Sequence, residues 1–148
     1  MSLAENKKAY FDYEILEKLE AGLVLTGYEA KAAKAGQINL KGAFVTFHNG
    51  DALLTNAHIS LYKPAGAMID YDPTKSRRLL LKKREIDYLR EKSQEKGLTI
   101  VPLKIYTKHR FIKVEIGVAR GKKQYDKRET LKKREVEREI KRTLKTDY

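Results

Sequence analysis

Alternating apolar and polar residues predict several short strands along the chain. In residues 10–16, Phe11, Tyr13 and Ile15 fall on one side of an extended backbone, and this period of two predicts a strand. Gly22 follows at a position where a bulge or a tight turn would start a returning strand. The N-terminal part of the chain is therefore expected to contribute a strand pair to a sheet.

Two further segments predict β-hairpins. Residues 43–62 contain Asn49-Gly50, the dipeptide that best tolerates a type I′ turn between two strands. Residues 98–119 predict a second hairpin, in which Lys113 and Glu115 point away from the core. The apolar side chains of its second half alternate with them: Ile112, Val114, Ile116 and Val118.

A short helix is predicted between the first strands and the first hairpin. Thr26 and Glu29 have the spacing of a capping box, the alanines that follow favour a helix, and Gly36 is suited to ending it. Residues 63–76 contain two of the three prolines and show little periodicity, so they are expected to form a loop.

A second helix is predicted in residues 81–97, the most strongly helical pattern in the body of the chain. Ile86 and Leu89 define its apolar side, and Gly97 stands where a left-handed cap belongs. Short antiparallel strands with two helices predict a mainly β protein, specifically a closed antiparallel β-barrel of the oligonucleotide-binding type with small flanking helices. The expected division is a body of residues 1–119 and a basic tail of residues 120–148.

The charge of the chain indicates a polyanionic partner. Its 148 residues carry 32 Lys and Arg against 20 Asp and Glu, which gives a net charge of +12 and a pI near 9.7. A hydrophobic fraction of 41% supports one packed core, and a mean hydropathy of −0.62 indicates a strongly solvated surface. Such an excess of cations attracts nucleic acids.

Several classes of protein are disfavoured by the sequence. No apolar run is long enough to span a bilayer, and the first residues lack the apolar block of a signal peptide, so a cytoplasmic protein is expected. The chain has no cysteine, and His48, His58 and His109 have no ligand spacing, so neither a metal nor another cofactor is expected. No nucleophile–base pair, carboxylate cluster or nucleotide-binding loop indicates an enzyme.

Residues 120–148 contain twelve Lys and Arg against six Asp and Glu, which is half of the excess charge of the whole chain. One interpretation is a solvated basic terminus without a specific role. The other is a tail that becomes helical when it is surrounded by polyanion. Tyr125 favours the second, because an aromatic ring among cations can stack on an exposed base.

Six stretches of sequence, in this order along the chain, resemble the SsrA-binding protein family, also called small protein B. They are NKKAYFDYEI, LEAGLVLTGYEAK, DPTKSRRLLLKKREI, KGLTIVPLKIY, VEIGVARGKK and YDKRE. The resemblance extends from about Asn6 into the tail. It implies an antiparallel barrel that binds the tRNA-like domain of transfer-messenger RNA and brings it to stalled bacterial ribosomes.

The resemblance also implies partners and residue roles. The tail would enter the vacant mRNA channel and become helical there, elongation factor Tu would take part in delivery, and the protein would act as a monomer without membrane contact, cofactor or covalent chemistry. The positions matched to binding of transfer-messenger RNA, together with their basic neighbours, are Asn6, Lys7, Lys8, Glu20, Arg77, Arg78 and Leu80. The positions matched to ribosome binding are Gly121, Lys122, Lys123, Tyr125, Asp126, Lys127, Arg128, Lys132, Lys133 and Arg134.

The sequence departs from the family in residues 29–34, where EAKAAK replaces an EVKSLR-type segment and three larger or polar side chains have become alanines. This change bears on how the first helix packs or touches RNA. The alternative to the family function is a generic ribosome-associated or single-stranded-RNA-binding barrel, which would share the fold and the charge.

Overall fold

The computed structural model describes residues 2–62 and 70–122. Within these ranges the chain forms nine strands and three helices. The strands are β1 (Ser2–Glu5), β2 (Tyr13–Leu23), β3 (Ile38–Asn39), β4 (Phe44–His48), β5 (Asp51–Thr55), β6 (His58–Ile59), β7 (Arg77–Leu80), β8 (Leu98–Lys108) and β9 (Phe111–Gly121). The helices are α1 (Lys7–Asp12), α2 (Gly27–Lys34) and α3 (Lys83–Gln94).

One large antiparallel sheet organises the molecule. Its seven strands follow the order β1-β8-β9-β2-β7-β5-β4, while β3 and β6 form a separate pair. The main core lies on one side of this sheet, where α2 and α3 contribute buried residues such as Ala32 and Leu89. A second, smaller apolar cluster lies between α1 and the ends of β8 and β9, and includes Ala9, Val101 and Leu103. Among the described residues, the sheet therefore has its main core on one side, while α1 covers part of the other side.

The prediction of a mainly β protein with small helices is confirmed, but the prediction of a closed barrel is wrong for the described residues. The hydrogen-bonded ladder ends at β1 on one edge and at β4 on the other, and no pairing joins the two. The sheet curls enough for β4 to lie against β8. Closure is a property of pairing between distant strands, which alternation within single strands does not specify.

The N-terminal prediction is wrong in two respects. Residues 7–12 form α1, and the strand begins only at Tyr13. Asn6 caps this helix by accepting a hydrogen bond from the Ala9 amide. The capped helix outweighs the strand-like alternation of residues 10–16. Gly22 does not begin a turn, because β2 continues straight through it to Leu23. The irregularity in β2 lies between Ile15 and Glu17 instead.

Both hairpins are confirmed. The β4–β5 turn places Asn49 at φ 50° and Gly50 at φ 81°, both in the left-handed region that the type I′ turn requires. The β8–β9 hairpin pairs from Leu98↔Arg120 to Lys108↔Phe111 and is the longest pairing of the sheet together with β2–β9. The short strands β1 and β7 were not predicted, because four residues are too few to show a period.

Helix α2 agrees with its predicted N-terminal cap, whereas α3 ends at Gln94 with Glu95 in an extended conformation at its C-cap, two residues before the predicted Gly97. The Thr26 hydroxyl accepts from the Glu29 amide at 3.3 Å, and the Glu29 carboxylate accepts from the Thr26 amide at 3.1 Å. Ile86 and Leu89 are the buried residues of α3. Gly97 follows α3 at φ 83°. No helix within the described ranges has the length and apolar content needed to cross a membrane.

Candidate nucleic-acid interface

The side of the sheet opposite the main core carries a surface of exposed and half-buried side chains, which we call the outer face. Its members alternate with buried core residues on β2, β7, β8 and β9. They are Lys18, Glu20, Arg78, Leu80, Lys104, Tyr106, Lys108, Phe111, Lys113 and Glu115. Five cations and two carboxylates make this face basic, while two aromatic rings and a leucine give it apolar contact area.

Glu20 is fixed at the centre of the outer face. Its Oε2 accepts a short hydrogen bond from the Tyr106 hydroxyl, and its Oε1 lies 3.5 Å from the Lys108 ammonium. The Tyr106 hydrogen bond, assisted by Lys108, lowers the pKa of Glu20 below its usual value. Burial and the Glu20 carboxylate together raise the pKa of Tyr106. Glu20 is therefore a charged, oriented acceptor among cations.

Leu80 lies on the outer face above Gly22 of β2, a residue without a side chain. It pairs with Gly22, and a Cβ at Gly22 would lie 3.2 Å from the Leu80 Cβ. With no side chain in the way, Leu80 lies flat over the backbone of β2 and is 53% exposed. Arg78 lies on the same strand and face, 3.5 Å from the Asp51 carboxylate.

Two clefts flank α1. A cleft of about 240 Å³ is lined by Lys7 and Tyr10 from the helix and by Lys18, Lys104 and Glu115 from the sheet, so it opens onto the outer face. On the opposite side of α1, a cleft of about 350 Å³ is lined by Lys8, Tyr13 and Phe44, among other residues. Lys7 therefore adjoins Lys18, Lys104 and Glu115 of the outer face, whereas Lys8 borders a different surface.

Asn6 is buried rather than presented to solvent. Its side-chain amide donates to the Pro102 carbonyl at 2.9 Å and to the Leu40 carbonyl at 3.3 Å, while its Oδ1 accepts from Ala9. Its backbone amide donates to the Leu103 carbonyl at 2.8 Å. Asn6 therefore ties α1 to β8 and to the segment after β3.

Arg77 is also buried, with 3% of its surface exposed. Its guanidinium donates to Glu29 Oε2, with N–O distances of 2.9 Å from Nε and 2.7 Å from Nη2. Nη1 donates to the Ala57 carbonyl at 2.7 Å, and Nη2 to the Pro73 carbonyl at 3.0 Å. Burial alone would raise the pKa of Glu29, but the Thr26 amide and Arg77 together lower it. The structure thus gives Arg77 a position in the interior, one residue before the exposed Arg78.

The first residues of the tail are joined to the body. Arg120 and Gly121 belong to β9, where Gly121 pairs with Tyr13. The Lys122 amide donates to the Asp12 carbonyl at 2.9 Å, and its ammonium donates to the Tyr10 carbonyl at 3.0 Å. The chain therefore leaves the sheet beside the C-terminal end of α1. The remaining ribosome-binding predictions, from Lys123 to Arg134, lie outside the described residues.

The structure brings four of the seven predicted RNA-binding positions, Lys7, Glu20, Arg78 and Leu80, to one surface. Sequence reasoning missed its other members, including Lys104, Tyr106 and Phe111. The available signal was the alternation along residues 104–108 and again along residues 111–115, in which every second side chain is charged or aromatic. A basic, aromatic-bearing sheet face on a mainly β fold defines the class of nucleic-acid-binding β proteins.

Comparison with known proteins places the chain more closely. The family model described as "SmpB protein" matches residues 3–146. The SsrA-binding protein of Leuconostoc mesenteroides subsp. mesenteroides is 57% identical over 143 residues, which cover 97% of this chain and 92% of that protein. The SsrA-binding protein of Ligilactobacillus salivarius is 56% identical over 144 residues, with the same coverage. The chain belongs to the SmpB family.

A solved structure agrees with this assignment. A chain described under the words "tmRNA-SmpB: a journey to the center of the bacterial ribosome" is 43% identical and superposes with a TM-score of 0.69. The match covers 86% of this chain and 93% of the solved one. The similarity therefore extends over most of the body.

Proposed function

We propose that this protein binds the tRNA-like domain of transfer-messenger RNA and delivers it to stalled bacterial ribosomes, where translation resumes on the tag reading frame. The observation that carries the proposal is membership of the SmpB family over residues 3–146, with relatives named SsrA-binding proteins. The basic outer face supplies a physical surface for the RNA. The protein acts as a binding factor, without a covalent step of its own.

On this proposal, the outer face makes the main contact with the tRNA-like domain. Arg78 and Lys7 contact phosphates, Leu80 contacts a ribose or base through its exposed side chain, and Glu20 accepts hydrogen bonds from RNA donors. Asn6 and Arg77 support the contact indirectly, since both are buried and hold α1 and β7 in place. Lys8 adds positive charge on the other side of α1.

The tail is proposed to bind the ribosome. Gly121 and Lys122 set its point of departure, and the basic residues from Lys123 to Arg134 enter the vacant mRNA channel as a helix. Tyr125 stacks on a ribosomal base, and Asp126 caps the start of the helix. The protein works in the bacterial cytoplasm as a monomer, with elongation factor Tu in the delivery complex. We propose further that the curled sheet belongs to the oligonucleotide-binding type.

Two titrations at fixed salt test this function. One uses the tRNA-like domain of transfer-messenger RNA, and the other an unstructured RNA of equal length. We expect a preference of roughly a hundredfold for the folded domain, which corresponds to about 2.7 kcal/mol. Contact with about 6 phosphates also predicts a log–log salt slope of roughly −4 to −5.

Equal affinity for the two RNAs would contradict the proposal. It would favour the alternative of a generic single-strand-binding protein, whose affinity rests on charge and stacking alone. A flat salt titration would instead contradict the assignment of the cations to phosphate contacts.

A further inference from the structure

The tip of the β8–β9 hairpin combines exposure, charge and strain in a way that packing does not require. Phe111 is 67% exposed, the most exposed large hydrophobic side chain among the described residues. It lies on the outer face, opposite Lys108. An exposed apolar side chain is common by itself, so its surroundings decide whether it has a role.

The surroundings of Phe111 are cationic. The Lys113 ammonium lies 5.8 Å from the centroid of its ring, and Lys108 pairs with it across the strands. Tyr106, which pairs with Lys113, is the diagonal neighbour of Phe111, at a Cα separation of roughly 7–8 Å for such pairs. Proteins that bind single-stranded nucleic acids present aromatic rings bordered by lysines. The bases stack on the rings, and the cations contact the phosphates.

The turn that presents Phe111 carries basic residues at a cost to stability. His109 has φ 49° and Arg110 has φ 69°, both in the left-handed region that side chains disfavour. The equivalent turn between β4 and β5 uses Asn49-Gly50, the favourable choice for this geometry. The β8–β9 turn therefore holds two nitrogen-bearing side chains on a strained backbone. Backbone strain of this kind is concentrated at functional sites.

We propose that Phe111 is a stacking platform for an unpaired nucleobase of the bound RNA, with Lys108, Arg110 and Lys113 holding the adjoining phosphates. The inference rests on the proposed function and adds a contact at the hairpin tip to those around Glu20 and Leu80. An unpaired base fits because only an unstacked base exposes a free π-face to the ring.

The first test is a series of substitutions at one position. Phe111→Ala is expected to weaken binding of the tRNA-like domain of transfer-messenger RNA by roughly 5- to 100-fold. Phe111→Leu should show a similar loss, since leucine keeps apolar area without a ring. Phe111→Tyr keeps the ring and should bind the RNA as tightly as the wild-type protein. The log–log salt slope should stay at the wild-type value, because no phosphate contact is removed. Thermal melts check that each variant is folded.

The second test uses fluorescence. The chain contains no tryptophan, so Phe111→Trp introduces a single reporter. Stacking on a base should quench its emission when the RNA is added. Phe44→Trp is the matched control: Phe44 is another exposed phenylalanine, 40% exposed, beside the cleft lined by Thr99. Thr99 and Lys108 are separated along β8 by roughly 30 Å, so the control reports on a distant surface.

The outcomes separate the inference from the function. Unchanged affinity of Phe111→Ala, full binding by Phe111→Leu, or equal quenching of both tryptophans would overturn the stacking platform. The proposed function would stand in each case if the wild-type protein still preferred the tRNA-like domain to unstructured RNA. Loss of that preference in the wild-type protein would overturn the function itself, whatever the Phe111 series gave.

Discussion

At the scale of single residues, the pair of Glu29 and Arg77 is the most deeply buried ion pair among the described residues. The side chains of both are 2% exposed, and together they join the start of α2 to β7. The carboxylate also completes the capping box with Thr26, while the guanidinium donates hydrogen bonds to backbone carbonyls of two loops. Residues 29–34, where the sequence departs from the family, begin with this glutamate, which has a structural role in both the helix cap and the ion pair.

Removal of one partner of this pair should destabilise the fold strongly. Arg77→Met leaves the Glu29 carboxylate in the interior without its guanidinium, and the free energy of unfolding should fall by about 3–5 kcal/mol. Urea unfolding followed by circular dichroism measures the change. The double variant Glu29→Gln/Arg77→Met removes both charges and should recover much of the loss.

Acid titration gives an independent check on the same pair. The folded-state pKa of Glu29 is lowered, so its contribution to stability is complete above the unfolded value, about 4.3. That contribution is lost as the pH falls through the lower folded value. Wild-type protein should therefore lose stability below about pH 4 more steeply than Glu29→Gln. Equal acid sensitivity of the two proteins would show that Glu29 does not carry this dependence.

At the scale of elements, the sequence of the β8–β9 turn lowers the stability of the fold, and we propose that it strengthens RNA binding. Two side chains in the left-handed region cost about 1 kcal/mol each relative to residues suited to it. The turn lies at the exposed end of the longest hairpin, so its sequence is free to serve the surface rather than the core.

Replacement of this turn by the Asn-Gly sequence of the β4–β5 turn should separate its effect on stability from its effect on RNA binding. His109→Asn with Arg110→Gly should raise the free energy of unfolding by roughly 1–2 kcal/mol, because Asn-Gly suits a type I′ turn. RNA affinity should fall severalfold, and the salt slope should become shallower by about one with the loss of Arg110. Calorimetry and RNA titration measure the two. A more stable protein with undiminished affinity would mean that the strained turn has no part in binding.

At the scale of the whole molecule, body and tail are proposed to serve different RNAs. The described part of the tail is anchored, because Lys122 bonds to the carbonyls of Tyr10 and Asp12 at the end of α1. This anchor fixes the point at which the chain leaves the sheet, beside the C-terminal end of α1.

Truncation after Lys122 should divide the activities. The anchor and all of β9 remain, so affinity for the tRNA-like domain should stay within about threefold of the full chain, a difference of roughly 0.7 kcal/mol. Peptide tagging on stalled ribosomes should be abolished in a reconstituted translation system. The matched control is a full-length chain with Lys132, Lys133 and Arg134 changed to Ala, which keeps the length but removes three cations. A truncated protein that lost RNA binding to the same degree as tagging would contradict the division.

The sequence by itself determined the elements whose information is local. A helix cap was predicted from Thr26 and Glu29, a turn from Asn49 and Gly50, and a strand from the alternation after residue 111. Each prediction was possible because the interacting groups are a few residues apart. The basic charge and the family resemblance likewise predicted an RNA partner.

Tertiary structure alone decided which residues share a surface. Asn6 and Arg77 belong to predicted RNA-binding motifs, yet contacts with Pro102, Leu40 and Glu29 bury them. Phe111 and Glu20 are far apart in sequence but share one face, because β9 pairs with both β2 and β8. Strand pairing over such separations depends on the packing of the whole sheet, and so does the absence of a closed barrel among the described strands.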